Sequence, residues 1–372
     1  MRNVQMFNRD LYLDFLAKKN KRPLFSCMWE PMINPSDEII KLARENNLIH
    51  PEDVQPLHIL NIARSVLKTL LDLKGDLPVA LQASGGHQWL EAICGCKIMA
   101  SNGQIWASNN GENTLDGFLN LPVSVEWEEK LISCHEEIVQ FSKGICFAAL
   151  PVLHGPIDIL SAYLGTENLA YAFYDEPDKL KRAIKKAGDV FIRVGKKLVN
   201  ALIPHEKGYC GRMYIYTKKP CITLQNDNSY LASPEMFKEY LEPVEQSIIK
   251  SFPSTVYHMH NTSLHLGNIV ADYKMDAIQM SVDPGGIPLE KQIDVFEQMK
   301  EKTPLILSCW SFEDMEYLRS NLTPQGLALT YIPEPDGCTI NKDGAFDEFG
   351  LWQEMYDNWI ESYSNKNMSS NI

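Results

Sequence analysis

"DAIQMSVD", residues 276–283, places Gln279, Ser281 and Asp283 on alternate positions between Ile278, Met280 and Val282. On an extended chain successive side chains point to opposite faces, so this segment has one polar and one apolar face. "CITLQND" (221–227) repeats the pattern, with Thr223, Gln225 and Asp227 against Ile222 and Leu224. A strand covered by helices needs its apolar face outward. The polar faces are then directed at a barrel axis, where only the C-terminal mouth can host unpaired polar groups.

Working outward, six further strand-like segments are present: "RPLFSCMWE" (22–30), "LPVALQAS" (77–84), "ICFAALPVLH" (145–154), "STVYHMH" (254–260), "PLILSCW" (304–310) and "GLALTY" (326–331). Amphipathic stretches such as "EWEEKLISCHEEIVQFS", "SPEMFKEYLEPVEQSIIKSF", "LEKQIDVFEQMKEK" and "SFEDMEYLRSN" separate most of them. Strand and helix alternating eight times predicts an α/β fold, a (β/α)8 TIM barrel, with a doubly wound sheet as the competing architecture. No GxGxxG follows the first strand, which argues against the second. Residues 37–76 and 155–220 are expected to add extra helices over the barrel ends, within a single domain spanning 1–372.

The chain of 372 residues is 45% hydrophobic and 22% charged, the composition of a globular protein with a sizeable core. Its net charge of −13 would repel phosphate backbones and anionic lipids, so no nucleic-acid or membrane partner is expected. The basic runs "KKNKR" and "KLKRAIKK" read as solvated faces. The N-terminal stretch lacks a signal peptide's apolar core, and no long uncharged apolar run occurs, so a cytoplasmic location is expected. Nine scattered cysteines without a disulfide-like framework fit a reducing compartment.

In "TVYHMHNTS" (255–263), His258 and His260 share one face of the fifth strand, at its C-terminal end, with Val256 below them. Glu30, Gln82, His154, Asp227, Asp283 and Cys309 stand at the ends of other strands, where a barrel of this kind gathers its chemistry. Two imidazoles on an inner strand are either metal ligands or hydrogen-bonded histidines that order the mouth.

"FAALPVLHGPIDILSAYLG" (147–165), "LQNDNSYLASPEMFKEYLEPV" (224–244), "VYHMHNTSLHLGNIVADYKMDAIQMSVD" (256–283) and "GLALTYIPEPDGCT" (326–339) resemble, in order, successive blocks of the uroporphyrinogen decarboxylase superfamily. True decarboxylases of that superfamily bind tetrapyrrole carboxylates through arginines after the first strand. Here that loop reads "CMWEPM" and puts Glu30 where guanidinium forks are needed. The chain is more similar to the cobalamin-dependent methyltransferase branch, whose zinc site has the pattern H-x-C with a later Cys.

The resemblance implies zinc held by His258, by His260 in place of the first Cys, and by Cys338, with Cys309 as substitute. From their places at the strand ends, Asp227 and Glu30 are expected as catalytic groups and Gln82, His154, Gln225, Gln279, Asp283 and Trp310 as substrate-binding ones. No D-x-H-x-x-G signature is present, so the corrinoid is expected on a separate partner protein. The expected activity is movement of a methyl group between that corrinoid and a small-molecule acceptor or donor, by a chain that forms a homodimer in the manner of the family. The alternative is a barrel that binds or transforms another small molecule without metal.

Overall fold

The computed structural model describes residues 7–28, 47–83, 88–101, 104–108, 113–333 and 348–369. Each of the eight expected segments contains a strand: β1 Leu24–Cys27, β2 Ala80–Leu81, β3 Phe147–Ala148, β4 Ile222–Gln225, β5 Thr255–His260, β6 Ala277–Val282, β7 Leu305–Cys309 and β8 Leu327–Tyr331. Six of them form one parallel sheet in the order β1-β8-β7-β6-β5-β4, and β2 pairs with β3 in a parallel sheet of two. The fold is therefore mixed α/β, with a six-stranded parallel sheet flanked by helices.

Among the described residues no ladder joins β1 to β2 or β3 to β4. The gaps fall where the strands are shortest, at two residues each for β2 and β3. Single contacts nevertheless cross both gaps. Asp76 just before β2 donates its backbone N–H to the Phe25 carbonyl of β1 at 2.7 Å and accepts from the Phe25 N–H at 2.8 Å. On the other side, Gly155 lies so close to the end of β4 that a Cβ there would stand 2.1 Å from the Gln225 carbonyl oxygen. Only glycine permits that approach.

The alternation read from the sequence has a clear structural meaning. Leu24, Ala80, Phe147, Val256, Ala277, Ile306 and Ala328 from seven strands, with Cys221 just ahead of β4, fall in one buried cluster. Tyr12 and Phe15 of the helix Arg9–Leu16 complete it. The neighbouring positions Phe25, Leu81, Ala148, Leu224, Tyr257, Ile278, Leu307 and Leu329 belong to a second cluster shared with the helices. Each strand thus separates an inner core from an outer one, as its period of two requires.

The surrounding helices begin where capping side chains allow. Ser124 accepts the Trp127 N–H ahead of the helix Val125–Ser142, and Ser311 accepts that of Asp314 ahead of Phe312–Asn321. Between β3 and β4 lie Pro156–Leu164, Thr166–Asp175 and the 25-residue Pro177–Ala201, so the longer insert is helical over most of its length, but it also holds an unexpected antiparallel hairpin of Tyr209–Gly211 with Ile215–Thr217. The earlier one contributes Pro56–Asp72. An antiparallel sheet of Leu48–Ile49, Lys97–Ser101 and Gln104–Ser108 was not anticipated. Among the described residues no helix is long and apolar enough to cross a membrane.

Candidate metal site and adjoining cavity

Strands β4 and β5 build the site between them. Their parallel register pairs His258 with Gln225, so two residues further along both chains Asp227 comes level with His260. Asp227 opens a short 3-10 turn, Asp227–Leu231. Its own N–H and that of Asn228 are held by the two carboxylate oxygens of Asp158, at 2.9 and 2.7 Å. Asp158 lies in the first turn of the helix that Gly155 and Pro156 open. Thus the close approach at Gly155 also fixes where Asp227 stands.

Donor atoms of Asp227, His258 and His260 lie within 4.8 Å of one another and form a group able to hold a metal ion. The two Nε2 atoms are 3.2 Å apart, and Asp227 Oδ1 is 3.7 Å from one and 3.8 Å from the other. Those separations are close to the edge of about 3.3 Å that a tetrahedron with zinc-to-ligand bonds near 2.0–2.1 Å would have.

The outer partners decide which ring atoms are free. Gln279 donates its Nε2–H to Ser308 Oγ at 2.7 Å, so its Oε1 is the acceptor for His258 Nδ1–H. Asp283 Oδ2 accepts His260 Nδ1–H at 2.6 Å. Both imidazoles therefore carry their Nδ1 proton outward and present Nε2 inward. Asp227 Oδ2 accepts from Gln225 Nε2 at 3.0 Å, while its Oδ1 is buried without a hydrogen-bond partner. Gln225 is in turn steadied by Arg212, whose Nη1 donates to Gln225 Oε1 at 3.2 Å.

Three electron-rich atoms thus converge, and such an arrangement is repulsive unless a cation or a proton lies among them. Burial pushes His258 down to about 4, and Arg212 and His260 add to that against the pull of Asp227. Its ring is therefore neutral at neutral pH, the form that ligates metal. His260 moves the other way. Burial opposes its charge, but the hydrogen bond to Asp283 and the nearby Asp227 carboxylate prevail and raise it.

Asp227 also borders a cavity of about 470 Å³, which Glu91, Trp106, His154 and Asp158 help to line. His154 Nδ1 hydrogen-bonds Glu91 Oε1. Burial alone would lower His154, yet Glu91, with Asp158 and Asp227 behind it, pushes it up to about 9. Burial and the neighbouring Asp227 lift Asp158 to about 6.

Of the residues singled out in the sequence, His258, His260 and Asp227 come together, with Gln225, Gln279 and Asp283 bonded directly to them. Asp227, expected as a catalytic group, supplies the third donor atom of the cluster. His154 lines the adjoining cavity. Gln82 and Trp310 each bury a polar atom, Oε1 and Nε1, that has no hydrogen-bond partner. Glu30 and Cys338 lie outside the described residues. Cys309 packs in the outer cluster with Leu305 and Leu307, on the helix side of β7, so it does not serve as the substitute ligand. Glu91, Asp158, Arg212 and Ser308 were not singled out. Asp158 sits inside the quoted "GPIDIL" block, but nothing in that motif announces its bonds to a turn 69 and 70 residues away.

Compared with known protein families, the chain matches none, and no curated protein is similar to it.

Proposed function

We propose that the eight strands close into a (β/α)8 barrel and that Asp227, His258 and His260 hold a zinc ion at its mouth, in an enzyme acting on a small molecule. Contacts across both gaps in the ladder and an inner cluster drawn from all eight strand segments support closure. The observation that carries the metal reading is the convergence of two Nε2 lone pairs and a buried, unpartnered Asp227 Oδ1 within 4.8 Å.

When bound, zinc supplies Lewis acidity that lowers the pKa of a small acceptor's X–H group. The chemistry we assign is transfer of a methyl group between that small molecule and a corrinoid carried by a separate protein, in line with the resemblance to the cobalamin-dependent methyltransferase branch. In that reading Gln279 and Asp283 orient the two imidazoles and keep their Nε2 atoms inward, while Arg212 and Gln225 fix Asp227. A carboxylate with two imidazoles is a harder set than one containing thiolate, and so favours an oxygen acceptor over a thiol.

The test is metal content of the purified full chain together with methyl transfer from free methylcobalamin. About one zinc per chain, lost in His258→Ala and in His260→Ala, supports the reading. A second reading, a metal-free barrel, is favoured by the 3.2 Å between the two Nε2 atoms, a separation that one shared proton would also satisfy. Metal-free protein that takes up no added zinc decides for it.

A further inference from the structure

The cavity beside the metal group holds a second pair that the proposed chemistry leaves unused. Glu91 is 2% exposed, with Oε1 taken by His154 Nδ1–H and Oε2 buried without a partner. A buried carboxylate oxygen left unpaired is unfavourable, so a donor is called for there. His154, having spent Nδ1 on Glu91, keeps Nε2 for the cavity that both residues line. A carboxylate acceptor and, across the imidazole from it, a ring nitrogen are therefore both left for a ligand.

We propose that Glu91 and His154 form a binding subsite for two hydroxyl groups of one ligand, and that the cavity takes a neutral hydroxylated molecule of polyol or small-sugar size. This deepens the function proposed above by naming its substrate class. Two hydroxyls of one polyol satisfy both ends, one donating its proton to Glu91 Oε2 and another accepting from His154 Nε2–H, on the far side of the ring, through its lone pair. A carboxylated substrate would find one cation, His154, already paired with Glu91, and would stand against the Glu91, Asp158 and Asp227 carboxyl groups with no lysine or arginine among the described lining residues. An ammonium group would suit Glu91 but meet the His154 imidazolium, which these carboxylates keep charged.

The rest of the wall agrees. Ser161, Thr166 and Asn228 give it a polar surface, though Ser161 already bonds Thr166 and Asn228, and Asn228 bonds Asp158, while the exposed Trp106 offers an apolar face for C–H bonds. A volume of about 470 Å³ suits a ligand of this size.

Saturation-transfer NMR and calorimetry on the full chain, in chelator-treated and in zinc-supplemented form, compare three probes: erythritol, the carboxylate threonate and the cation choline. Erythritol is expected to bind in preference to both others, and Glu91→Gln or His154→Asn is expected to weaken it about tenfold. Tighter binding of threonate or choline, undiminished erythritol binding in Glu91→Gln, or no erythritol binding at all overturns the proposal. Should both variants fail to fold, wild-type protein with 13C-labelled histidine decides. The His154 ring signals must move on adding erythritol, and their failure to move overturns it as well. Erythritol bound by chelator-treated protein upholds this subsite even where zinc binding fails, so the two readings stand or fall separately.

Discussion

Replacing Asp283 by Asn tests the proposed metal site without touching any of its three proposed ligands. The Asp283 carboxylate accepts His260 Nδ1–H at 2.6 Å, a charge-assisted bond that orients the ring and makes Nε2 a better donor. Asn keeps the size and one acceptor oxygen but removes the charge. Loss of such an outer partner typically weakens a metal site about 10- to 100-fold, or about 1.4–2.7 kcal/mol. Asp283 is about a quarter exposed, at 26%, which places the expected loss toward the lower half of that range. Competition between the full chain and a chromophoric chelator for zinc measures it directly. Thermal unfolding supplies a second readout: zinc at a hundred times its Kd stabilises wild type by about 2.7 kcal/mol, and the variant should lose about half of that at the same free zinc. Wild-type zinc affinity in Asp283→Asn would refute the assigned ring orientation, and with it the inward lone pair of His260.

Three further outcomes are expected. His135 is fully buried, its Nε2 bonded to the Leu198 carbonyl at 3.1 Å, and burial pushes it from 6.5 down to about 4. The depressed value means stability is full above pH 6.5 and falls as pH drops toward 4, by about 3 kcal/mol in all. Denaturant melts of His135→Gln should show a shallower slope across that window, and an unchanged slope contradicts this. Gly155→Ala should destabilise the chain by about 2 kcal/mol or more and disturb Asp227 as well, because the new methyl meets the Gln225 backbone rather than a yielding side-chain tip. A thermal melt and a zinc titration on the same sample check both effects. Lys186 donates to the carbonyls of Phe118, Leu119 and Leu121 at the end of the helix Leu115–Asn120, so Lys186→Met should cost about 1–3 kcal/mol by chemical denaturation.

Alternation made the fold legible. In β5 and β6 the inward set of Val256, His258 and His260, or Ala277, Gln279 and Ser281, could be read from period two alone, and the division into two cores follows it. The same reading placed Gln225, Gln279 and Asp283 on the side where they bond the site. The third donor was harder to see. Asp227 reaches His260 through the register of β4 against β5, and register depends on packing across the whole sheet, not on either strand's pattern. Glu91 and Asp158 lie on helices, where a lone acidic residue reads like any solvated one. The antiparallel strands 97–101 and 104–108 escaped notice because they interrupt the expected strand–helix rhythm.

Anomalous diffraction at the zinc edge from crystals of the full chain grown with zinc tests the central claim most directly. One strong peak bonded to Asp227 Oδ1, His258 Nε2 and His260 Nε2 is the expected result. No peak at that position, or zinc bound elsewhere while the two Nε2 atoms stay in direct contact, would contradict it.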